Sequence, residues 1–288
     1  MIPAQFDYLT PATLDEAVGI LSQHPDEAKV LAGGHSLIPA MKLRLATPQI
    51  LVDIGHIKDL AYIREQDGQI RIGAMTTHYN LESSDRLREI CPLLPECAAQ
   101  IGDVQVRNKG TIGGSLAHAD PAGDWPAAIM ALDAEIVVVG SGGERVIKAD
   151  DFFVDMLTTA LGADEILREI RIKAPTGSFG QSYMKVPQPA SGFAVVGVAV
   201  NLTRDNSGLC ASASIAITGV ASKVYRASAV EKALAGSALD EQSVQDASAH
   251  AVDGQSVNGD LYASDAYRSH LAKVYARRAI EAAAARAK

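Results

Sequence analysis

The chain has 288 residues, of which 48% are hydrophobic and 21% charged, with a formal net charge of −8 at pH 7. This length allows two or three domains with a sizeable core, and the composition is that of a globular protein. The acidic balance disfavours a general nucleic-acid binder, because such proteins concentrate positive charge on one face. The most apolar run, residues 193–202, is too short to span a bilayer, so we expect no membrane span.

The N-terminus and the cysteines indicate a cytoplasmic protein. The first residues contain no basic segment followed by an apolar core, so no signal peptide is predicted. Cys91, Cys97 and Cys210 lack CxxC spacing and form no zinc or iron–sulfur pattern. We interpret them as reduced structural thiols, which fits a cytoplasmic location.

The predicted elements fall into three groups along the chain. Residues 1–55 form a small α/β unit, in which Thr13 and Glu16 form a capping box that starts a helix. The other elements of this unit are strands at residues 6–8, 29–32 and 50–54 and a helix at residues 37–45.

Residues 56–176 form a second, α+β unit that ends in a proline- and glycine-containing linker. Its first hairpin surrounds Asp67-Gly68, a strong two-residue turn signal. The predicted strands are residues 61–65, 69–73, 135–139, 144–147 and 165–172, and the predicted helices are residues 77–90, 93–101 and 125–132.

Residues 177–288 form a C-terminal α+β domain, because strands come first and helices follow. Three strands are predicted at residues 181–186, 193–202 and 209–218. Three helices are predicted at residues 223–234, 240–252 and 264–285.

Two glycine pairs are the features with the clearest functional meaning. Gly33-Gly34 is followed by His35 and Ser36, and Gly113-Gly114 lies between Thr111 and Ser115. A glycine pair lets the backbone approach a ligand closely, and consecutive free N–H groups in a turn form a concave anion site. We therefore predict two such nests that meet on one diphosphate, with the helix after the first adding its positive end.

Other chemistries find little support. The seven histidines lack HxH or HxxxH spacing, so no metal site is predicted, and there is no GxSxG nucleophile motif. Neither GxGxxG nor GxxxxGK[ST] is present, which disfavours a Rossmann site or a nucleoside-triphosphate P-loop. Phosphate-binding motifs without catalytic side chains suit a protein whose chemistry belongs to a bound cofactor.

The chain resembles the FAD-binding medium subunits of the molybdenum hydroxylases. The resemblance is carried by Ala32-Gly33-Gly34-His35-Ser36-Leu37, by Thr111-Ile112-Gly113-Gly114-Ser115 and by Asp124, and it extends over the whole chain. The carbon monoxide dehydrogenase group is more similar than the flavin domain of xanthine dehydrogenase. This implies a three-domain FAD-binding fold of the p-cresol methylhydroxylase/vanillyl-alcohol oxidase type, with FAD between the first two domains.

The resemblance also implies roles for individual residues. Residues 32–37 and 111–115 would cradle the pyrophosphate, and Asp124 would accept from a hydroxyl of FAD. Ile101 would pack near the flavin, the backbone of Leu167 would meet the adenine, and Lys185 would lie near the isoalloxazine. Phe193 replaces a tyrosine of related subunits, and Ser115 replaces a common asparagine. The cofactor-binding set is Ala32, Gly33, Gly34, His35, Ser36, Leu37, Ile101, Thr111, Gly113, Gly114, Ser115, Asp124, Leu167, Lys185 and Phe193.

Structural alternatives exist for most of these residues. Asp124 is also placed to cap the next helix, Lys185 to lie on an edge strand, and Phe193 to pack in a strand core. At the level of the whole protein, the alternatives are a stand-alone FAD-dependent oxidase of a small organic substrate and a non-redox nucleotide-binding adaptor.

The resemblance implies that this chain is the electron-transfer subunit of a heterotrimer. A large subunit would carry molybdopterin, a small subunit would carry [2Fe–2S] clusters, and a dimer of heterotrimers is expected. Carbon monoxide, an aldehyde, a purine and an N-heterocycle all stay open as substrates, and quinone, NAD and oxygen as acceptors.

Overall fold

The computed structural model describes residues 1–287, and the chain begins with a three-stranded parallel sheet in the order β1–β3–β2. The elements of this first unit are β1 (Asp7–Leu9), α1 (Leu14–Gln23), β2 (Ala28–Leu31), α2 (Leu37–Lys42), β3 (Ile50–Asp53) and a 3₁₀ helix (Lys58–Leu60). Every strand predicted in residues 1–55 is therefore present, whereas α2 ends at Lys42 instead of Leu45.

Helix α1 begins as the sequence predicts, with a small difference in the capping box. The Thr13 side chain accepts a hydrogen bond from the Glu16 backbone N–H at 3.2 Å. The Glu16 carboxylate accepts in return from the N–H of Ala12, at 2.7 Å, rather than from Thr13 itself. The Thr13 side chain satisfies a donor that a free helix start would leave open, and the Glu16 carboxylate ties the residue before the cap to the helix.

The second unit is built on a five-stranded antiparallel sheet in the order β4–β5–β10–β6–β7. Its predicted β4–β5 turn is confirmed, with positive φ angles of 54° at Asp67 and 73° at Gly68. The elements in chain order are β4 (Ile63–Gln66), β5 (Gln69–Gly73), α3 (His78–Glu82), α4 (Asp85–Ile90), α5 (Leu93–Ala99), α6 (Val104–Lys109), α7 (Ile112–His118), α8 (Asp124–Ala131), β6 (Glu135–Gly140), β7 (Gly143–Lys148), α9 (Ala149–Phe152), β8 (Phe153–Asp155), β9 (Thr158–Thr159) and β10 (Ile166–Lys173).

The helices of this unit differ from the prediction in four places, one of which is the short, unpredicted α9. The helix predicted over residues 77–90 is two helices, because Ser84 starts α4 by accepting from the Leu87 N–H at 3.3 Å. Helix α6 has no counterpart among the predicted elements, although Asp103 caps it by accepting from the Val106 N–H at 2.9 Å. Helix α7 contains the second glycine pair, which therefore lies in a helix rather than in a turn.

The third unit is a four-stranded antiparallel sheet, one strand more than predicted, with helices after it. Its elements are β11 (Phe179–Pro187), β12 (Ala194–Arg204), β13 (Cys210–Thr218), β14 (Tyr225–Arg226), α10 (Ser228–Leu234), α11 (Glu241–Ser248) and α12 (Asp265–Arg286). The additional strand pairs Tyr225 and Arg226 with β13, so the helix predicted from Lys223 begins only at Ser228.

Helix α12 lies directly on strand β11. The Ser182 hydroxyl donates to the carbonyl of Ala279 at 2.7 Å. A Cβ on Gly180 would come within 1.9 Å of the Ala283 carbonyl oxygen, so this glycine is needed for the close approach. The sheet and the helix thus form two packed layers, as predicted for an α+β domain.

The loop of residues 119–123, which leads into α8, is held by the third unit. The Ala194 N–H donates to the Ala122 carbonyl at 3.1 Å, and the Gly219 N–H to the Pro121 carbonyl at 2.7 Å. The Thr218 hydroxyl lies 2.8 Å from the carbonyl oxygens of both Pro121 and Gly123. The third unit therefore fixes the start of α8 and the residue that opens it, Asp124.

Three clusters of buried apolar side chains correspond broadly to the three units. The first is centred on α1 and β3, the second on α5, α8 and the five-stranded sheet, and the third on β12, β13 and α12. Ile166 of β10 belongs to the first cluster, so the first two units share a core contact. The domain limits at residues 55 and 176 stay a prediction. Within residues 1–287, every helix is too short or too polar to cross a membrane.

Candidate functional site

The first glycine motif, residues 32–36, joins the end of β2 to the start of α2. Gly34 has a φ of 76°, a conformation that favours glycine. Within residues 1–287, the backbone N–H groups of residues 33–37 donate to no acceptor. His35 folds back, with its Nδ1 at 2.9 Å from the Gly33 carbonyl. This motif therefore presents a run of free donors at a helix start, as expected of an anion nest.

The second glycine motif has the opposite hydrogen-bond state. The Ile112 N–H donates to Thr76 O at 3.0 Å, and the Gly113 N–H donates to Ala74 O at 2.9 Å. The Gly114 N–H donates to the Thr111 side chain at 3.2 Å, which caps α7. These donors are used inside the protein, so the expected second nest of free N–H groups is absent from this motif.

The two motifs nevertheless meet, as predicted. A Cβ on Gly33 would lie 2.2 Å from the Lys109 carbonyl oxygen and 2.8 Å from the Gly110 Cα. A Cβ on Gly114 would lie 3.5 Å from the Ala32 Cβ. The missing Cβ at Gly33 thus allows one chain segment to lie against another, a role distinct from approach to a ligand.

A cleft of about 930 Å³ opens beside this junction. Lys42, Lys58 and Lys109 line it, and none of the described residues that line it is Asp or Glu. In a chain with a net charge of −8, this is a local concentration of positive charge. The apolar part of the wall consists of Leu31, Ala32, Ile38, Pro39, Ile57, Ala61 and Met75. Cations and free N–H groups beside an apolar wall suit a ligand with phosphates and a flat ring.

Thr111 links the second motif to the cleft. It lines the cleft although only 4% of its surface is exposed, and its Oγ1 accepts from the Gly114 N–H. A hydroxyl that accepts in this way keeps its own hydrogen for another acceptor. The second motif therefore contributes a side-chain donor to the cleft in place of the predicted backbone donors.

Asp124 and Lys185 form a buried ion pair, with Lys185 Nζ 2.8 Å from Asp124 Oδ2. The side chains are 5% and 1% exposed. The Tyr183 hydroxyl donates to the other carboxylate oxygen at 2.5 Å, and Lys185 Nζ also donates to the Gln100 carbonyl at 2.9 Å. Lys185 is therefore no surface lysine, and Asp124 is the first residue of α8 rather than its cap.

Burial dominates the electrostatics of this cluster. Burial raises the pKa of Asp124, although the Lys185 ammonium and the Tyr183 hydroxyl act in the opposite direction. Burial and the Asp124 charge hold the pKa of the Tyr183 phenol well above its ordinary value. The Cys97 thiol, buried beside the same carboxylate, also has a strongly raised pKa and is unreactive as a nucleophile.

Three further predicted residues lie outside the cleft. Leu167 is 4% exposed in β10, where it pairs with Val138 of β6. Ile101 is partly buried against the second core cluster. Phe193 is 43% exposed in the β11–β12 connection, and a Cβ on the preceding Gly192 would lie 3.7 Å from the Gly102 Cα. The structure therefore brings the backbone next to Phe193 close to Gly102, the residue that follows Ile101.

Arg107, one of the cations that flank the second motif, has a structural role. Its Nε donates to Glu82 Oε2 at 2.6 Å. Its Nη1 donates to the carbonyls of Ile101 and Gly102, both at 3.2 Å. Arg107 thus holds the turn before α6, while Lys109 supplies the free charge in the cleft.

The sequence analysis missed several residues of this region. Lys42 lies one helix turn beyond Ile38 on α2, and both line the cleft, so helical spacing holds a signal for it. Lys58 lies in a segment without any motif, and only the folded chain brings it to the cleft. Asn108 stands three residues before Thr111, beside the second motif, but it was not predicted as a site residue. His78 was missed as well; it is buried behind Gly110.

Comparisons with known proteins cover nearly all of the chain. Residues 4–175 match the family described as the FAD binding domain in molybdopterin dehydrogenase. Residues 181–283 match the family described as the CO dehydrogenase flavoprotein C-terminal domain.

Individual relatives match from end to end. The carbon monoxide dehydrogenase medium chain of Afipia carboxidovorans is 41% identical over 100% of both chains. The nicotine 6-hydroxylase medium subunit of Paenarthrobacter nicotinovorans is 35% identical over 97% of both. A solved carbon monoxide dehydrogenase chain from Hydrogenophaga pseudoflava superposes with a TM-score of 0.97 and 41% identity, covering 100% of each chain.

These matches confirm the resemblance and the α+β FAD-binding fold that the sequence predicts. They also agree with the geometry, because a cleft with free N–H donors and three lysines fits a dinucleotide with a diphosphate. The chain belongs to the FAD-binding medium-subunit family of the molybdenum hydroxylases, which are oxidoreductases, and its cofactor is FAD.

Proposed function

We propose that this chain is the electron-transfer subunit of a heterotrimeric molybdenum hydroxylase. It would accept electrons from [2Fe–2S] clusters on a small partner subunit and pass them through FAD to an external acceptor. A large partner subunit would bind molybdopterin and oxidise the substrate, and two heterotrimers would pair in the cytoplasm. The observation that carries this proposal is a lysine-lined cleft at the glycine junction, in a chain that matches medium chains over its full length.

Within this proposal, the first motif holds the diphosphate. The five free N–H groups of residues 33–37 would donate to phosphate oxygens, and the N-terminus of α2 would add its dipole. Thr111 would donate its hydroxyl from the opposite wall, and Lys42, Lys58 and Lys109 would balance the phosphate charge. Bound FAD supplies reversible uptake and release of electrons, which no side chain of the protein provides.

The other predicted residues have separate parts in the proposal. Gly113, Gly114 and Ser115 would shape the wall through α7, since their N–H groups are used within the protein. Asp124 and Lys185 would act as a buried dipole toward the flavin, and Phe193 with Ile101 would bound the ring edge. Leu167, in β10, would meet the adenine through its backbone. The roles of Phe193 and Lys185 at the flavin stay predictions.

The substrate would be selected on another subunit. The relatives named above belong to complexes for carbon monoxide and for nicotine, although their medium chains share 35–41% identity with this chain. Similar flavin subunits thus occur in complexes that act on different substrates. Carbon monoxide, an aldehyde, a purine and an N-heterocycle all fit this division of labour.

Anaerobic stopped-flow spectroscopy of the isolated chain tests the proposal. We expect the chain to retain FAD but to reduce it negligibly with any of these substrates, whereas the assembled complex reduces it quickly. Rapid bleaching of the lone chain by an organic substrate would favour a stand-alone oxidase instead. Purified chain without a flavin absorption band would favour a non-redox adaptor.

A further inference from the structure

His78 is a buried histidine outside both glycine motifs but anchored at their junction. It opens α3, and only 4% of its surface is exposed. Its backbone N–H donates to the Gly110 carbonyl at 3.0 Å, and the neighbouring Thr77 pairs with Thr111 in an isolated bridge. The imidazole therefore lies against Gly110, whose Cα also lies close to Gly33.

Trp125 determines which ring nitrogen of His78 carries the hydrogen. The indole Nε1–H, which can only donate, lies 3.0 Å from His78 Nδ1. In the neutral ring Nδ1 is then the acceptor, and Nε2 carries the hydrogen. Burial, with the nearby charges of His35 and Arg107, lowers the pKa of His78 to about 4, so the ring is neutral at ordinary pH.

The Nε2–H of His78 is left without a partner. The bond from Trp125 is the one side-chain hydrogen bond that His78 makes within residues 1–287. The Nε2 atom itself keeps some exposure, although only 4% of the residue is exposed, so an acceptor from outside the protein can reach this one free donor. Nε2 faces Gly110, where a Cβ would lie only 2.6 Å away.

We propose that the Nε2–H of His78 donates to a phosphate oxygen of the bound dinucleotide. This inference rests on the proposed FAD site and adds to it a neutral donor from a third segment of the chain. Gly110 has no side chain to block the approach, and its neighbours Lys109 and Thr111 both line the cleft. The lysines supply charge from flexible side chains, whereas the Trp125-fixed imidazole supplies a donor of set direction.

The substitutions His78→Phe and His78→Gln test this proposal by ligand affinity. Dissociation constants of FAD, ADP and adenosine are measured for the full chain after removal of its flavin. We expect His78→Phe to weaken FAD and ADP by about tenfold or more, the effect of one hydrogen bond to a charged group. Adenosine, which has no phosphate, should bind unchanged, and His78→Gln should retain much of the affinity because its amide can donate.

Two outcomes would overturn the inference. Unchanged FAD affinity in His78→Phe would mean that Nε2 contacts only water, and an equal loss for adenosine would mean that His78 merely shapes the pocket. Wild-type chain that binds no FAD would instead contradict the proposed function.

A second variant covers the case in which His78→Phe fails to fold. In Gly110→Ala the new Cβ would displace the imidazole, so the same loss for FAD and ADP but not adenosine is expected. Gly142→Ala is the matched control, because a Cβ there meets nothing within 4 Å. If Gly110→Ala binds ADP as tightly as Gly142→Ala, the proposed contact does not exist.

Discussion

The two glycine motifs have similar sequences and opposite hydrogen-bond states. In the first, the N–H groups of residues 33–37 are free, and in the second the N–H groups of Ile112, Gly113 and Gly114 all donate within the protein. One motif is open toward a ligand, and the other is closed and supports the fold. In this chain both glycine pairs allow close packing, whereas only the first also presents free N–H groups.

Polar groups that are bonded within the protein, here called closed, should matter to the stability of the chain without cofactor. Polar groups without a protein partner, here called open, should matter to the binding of the cofactor. The Asp124–Lys185 pair is the extreme closed case, since both side chains are almost fully buried. The following predictions test this division in order of expected effect.

Replacing Lys185 by Met should cause the largest loss of stability. It leaves the Asp124 carboxylate buried without its cation, which costs about 3–5 kcal/mol in the free energy of unfolding. Denaturant unfolding of the flavin-free chain at neutral pH measures this loss, with the exposed Lys148→Met as control. Protonated Asp124 needs no cation, so the loss should shrink as the pH falls. A loss below that of Lys148→Met would show that the pair does not support the fold.

The second prediction concerns the pH dependence of stability through His78. The pKa of His78 in the folded chain, about 4, lies below the ordinary value of 6.5. Between these two pH values the unfolded chain therefore binds a proton that the folded chain does not bind. The free energy of unfolding should therefore fall by about 3 kcal/mol as the pH drops from 6.5 to 4. His78→Gln should remove this part of the slope. Identical pH profiles of the two proteins would contradict the burial of a neutral imidazole.

Adding one methyl group to the second glycine motif should lower the stability of the chain moderately. In Gly113→Ala the Cβ would lie 2.5 Å from the Ala74 Cβ and 2.8 Å from its carbonyl oxygen. Overpacking of this kind costs about 1–3 kcal/mol, and we expect that loss in the flavin-free chain. Gly142→Ala, in open space, should change stability by less than about 0.5 kcal/mol. Equal unfolding midpoints for the two variants would mean that Gly113 is not closed against Ala74.

The smallest expected effect on stability distinguishes Thr111, which precedes α7, from Ser36, which precedes α2. Thr111 caps α7 through the Gly114 N–H, whereas Ser36 makes no side-chain cap bond at α2. Thr111→Ala should lower the free energy of unfolding by about 1 kcal/mol, and Ser36→Ala should leave it unchanged. Thermal or denaturant unfolding of the flavin-free variants decides, and an equal loss in both would remove the distinction between open and closed motifs.

Local signals predicted the parts of the fold that depend on neighbouring residues. The capping residue Thr13, the Asp67-Gly68 turn and most strands follow from short-range rules. The division of the helix over residues 77–90 was missed, although Ser84 is a standard cap residue. The glycine pair in α7 runs against helix propensity, and its cause is the distant Ala74, which a local pattern does not contain.

The site was predictable where a motif carried it and not where tertiary contacts built it. The first motif was found from its residues alone, and the family resemblance supplied Asp124 and Lys185. Tyr183, which holds the same carboxylate, lies two residues before Lys185 and thus on the same face of β11. That alternation was a usable signal for Tyr183. His78 had none, because its role depends on Trp125 and on the backbone at Gly110.

The Asp124–Lys185 pair joins the two parts of the chain that family boundaries separate. One match ends at residue 175 and the other begins at residue 181, so Asp124 and Lys185 lie on opposite sides of the division. A fragment that stopped at the linker would keep the carboxylate and the 119–123 loop but lose the ammonium, Thr218 and Gly219 that hold them. The two halves should therefore melt together in one cooperative transition, and separately expressed halves should accumulate in folded form only when produced side by side.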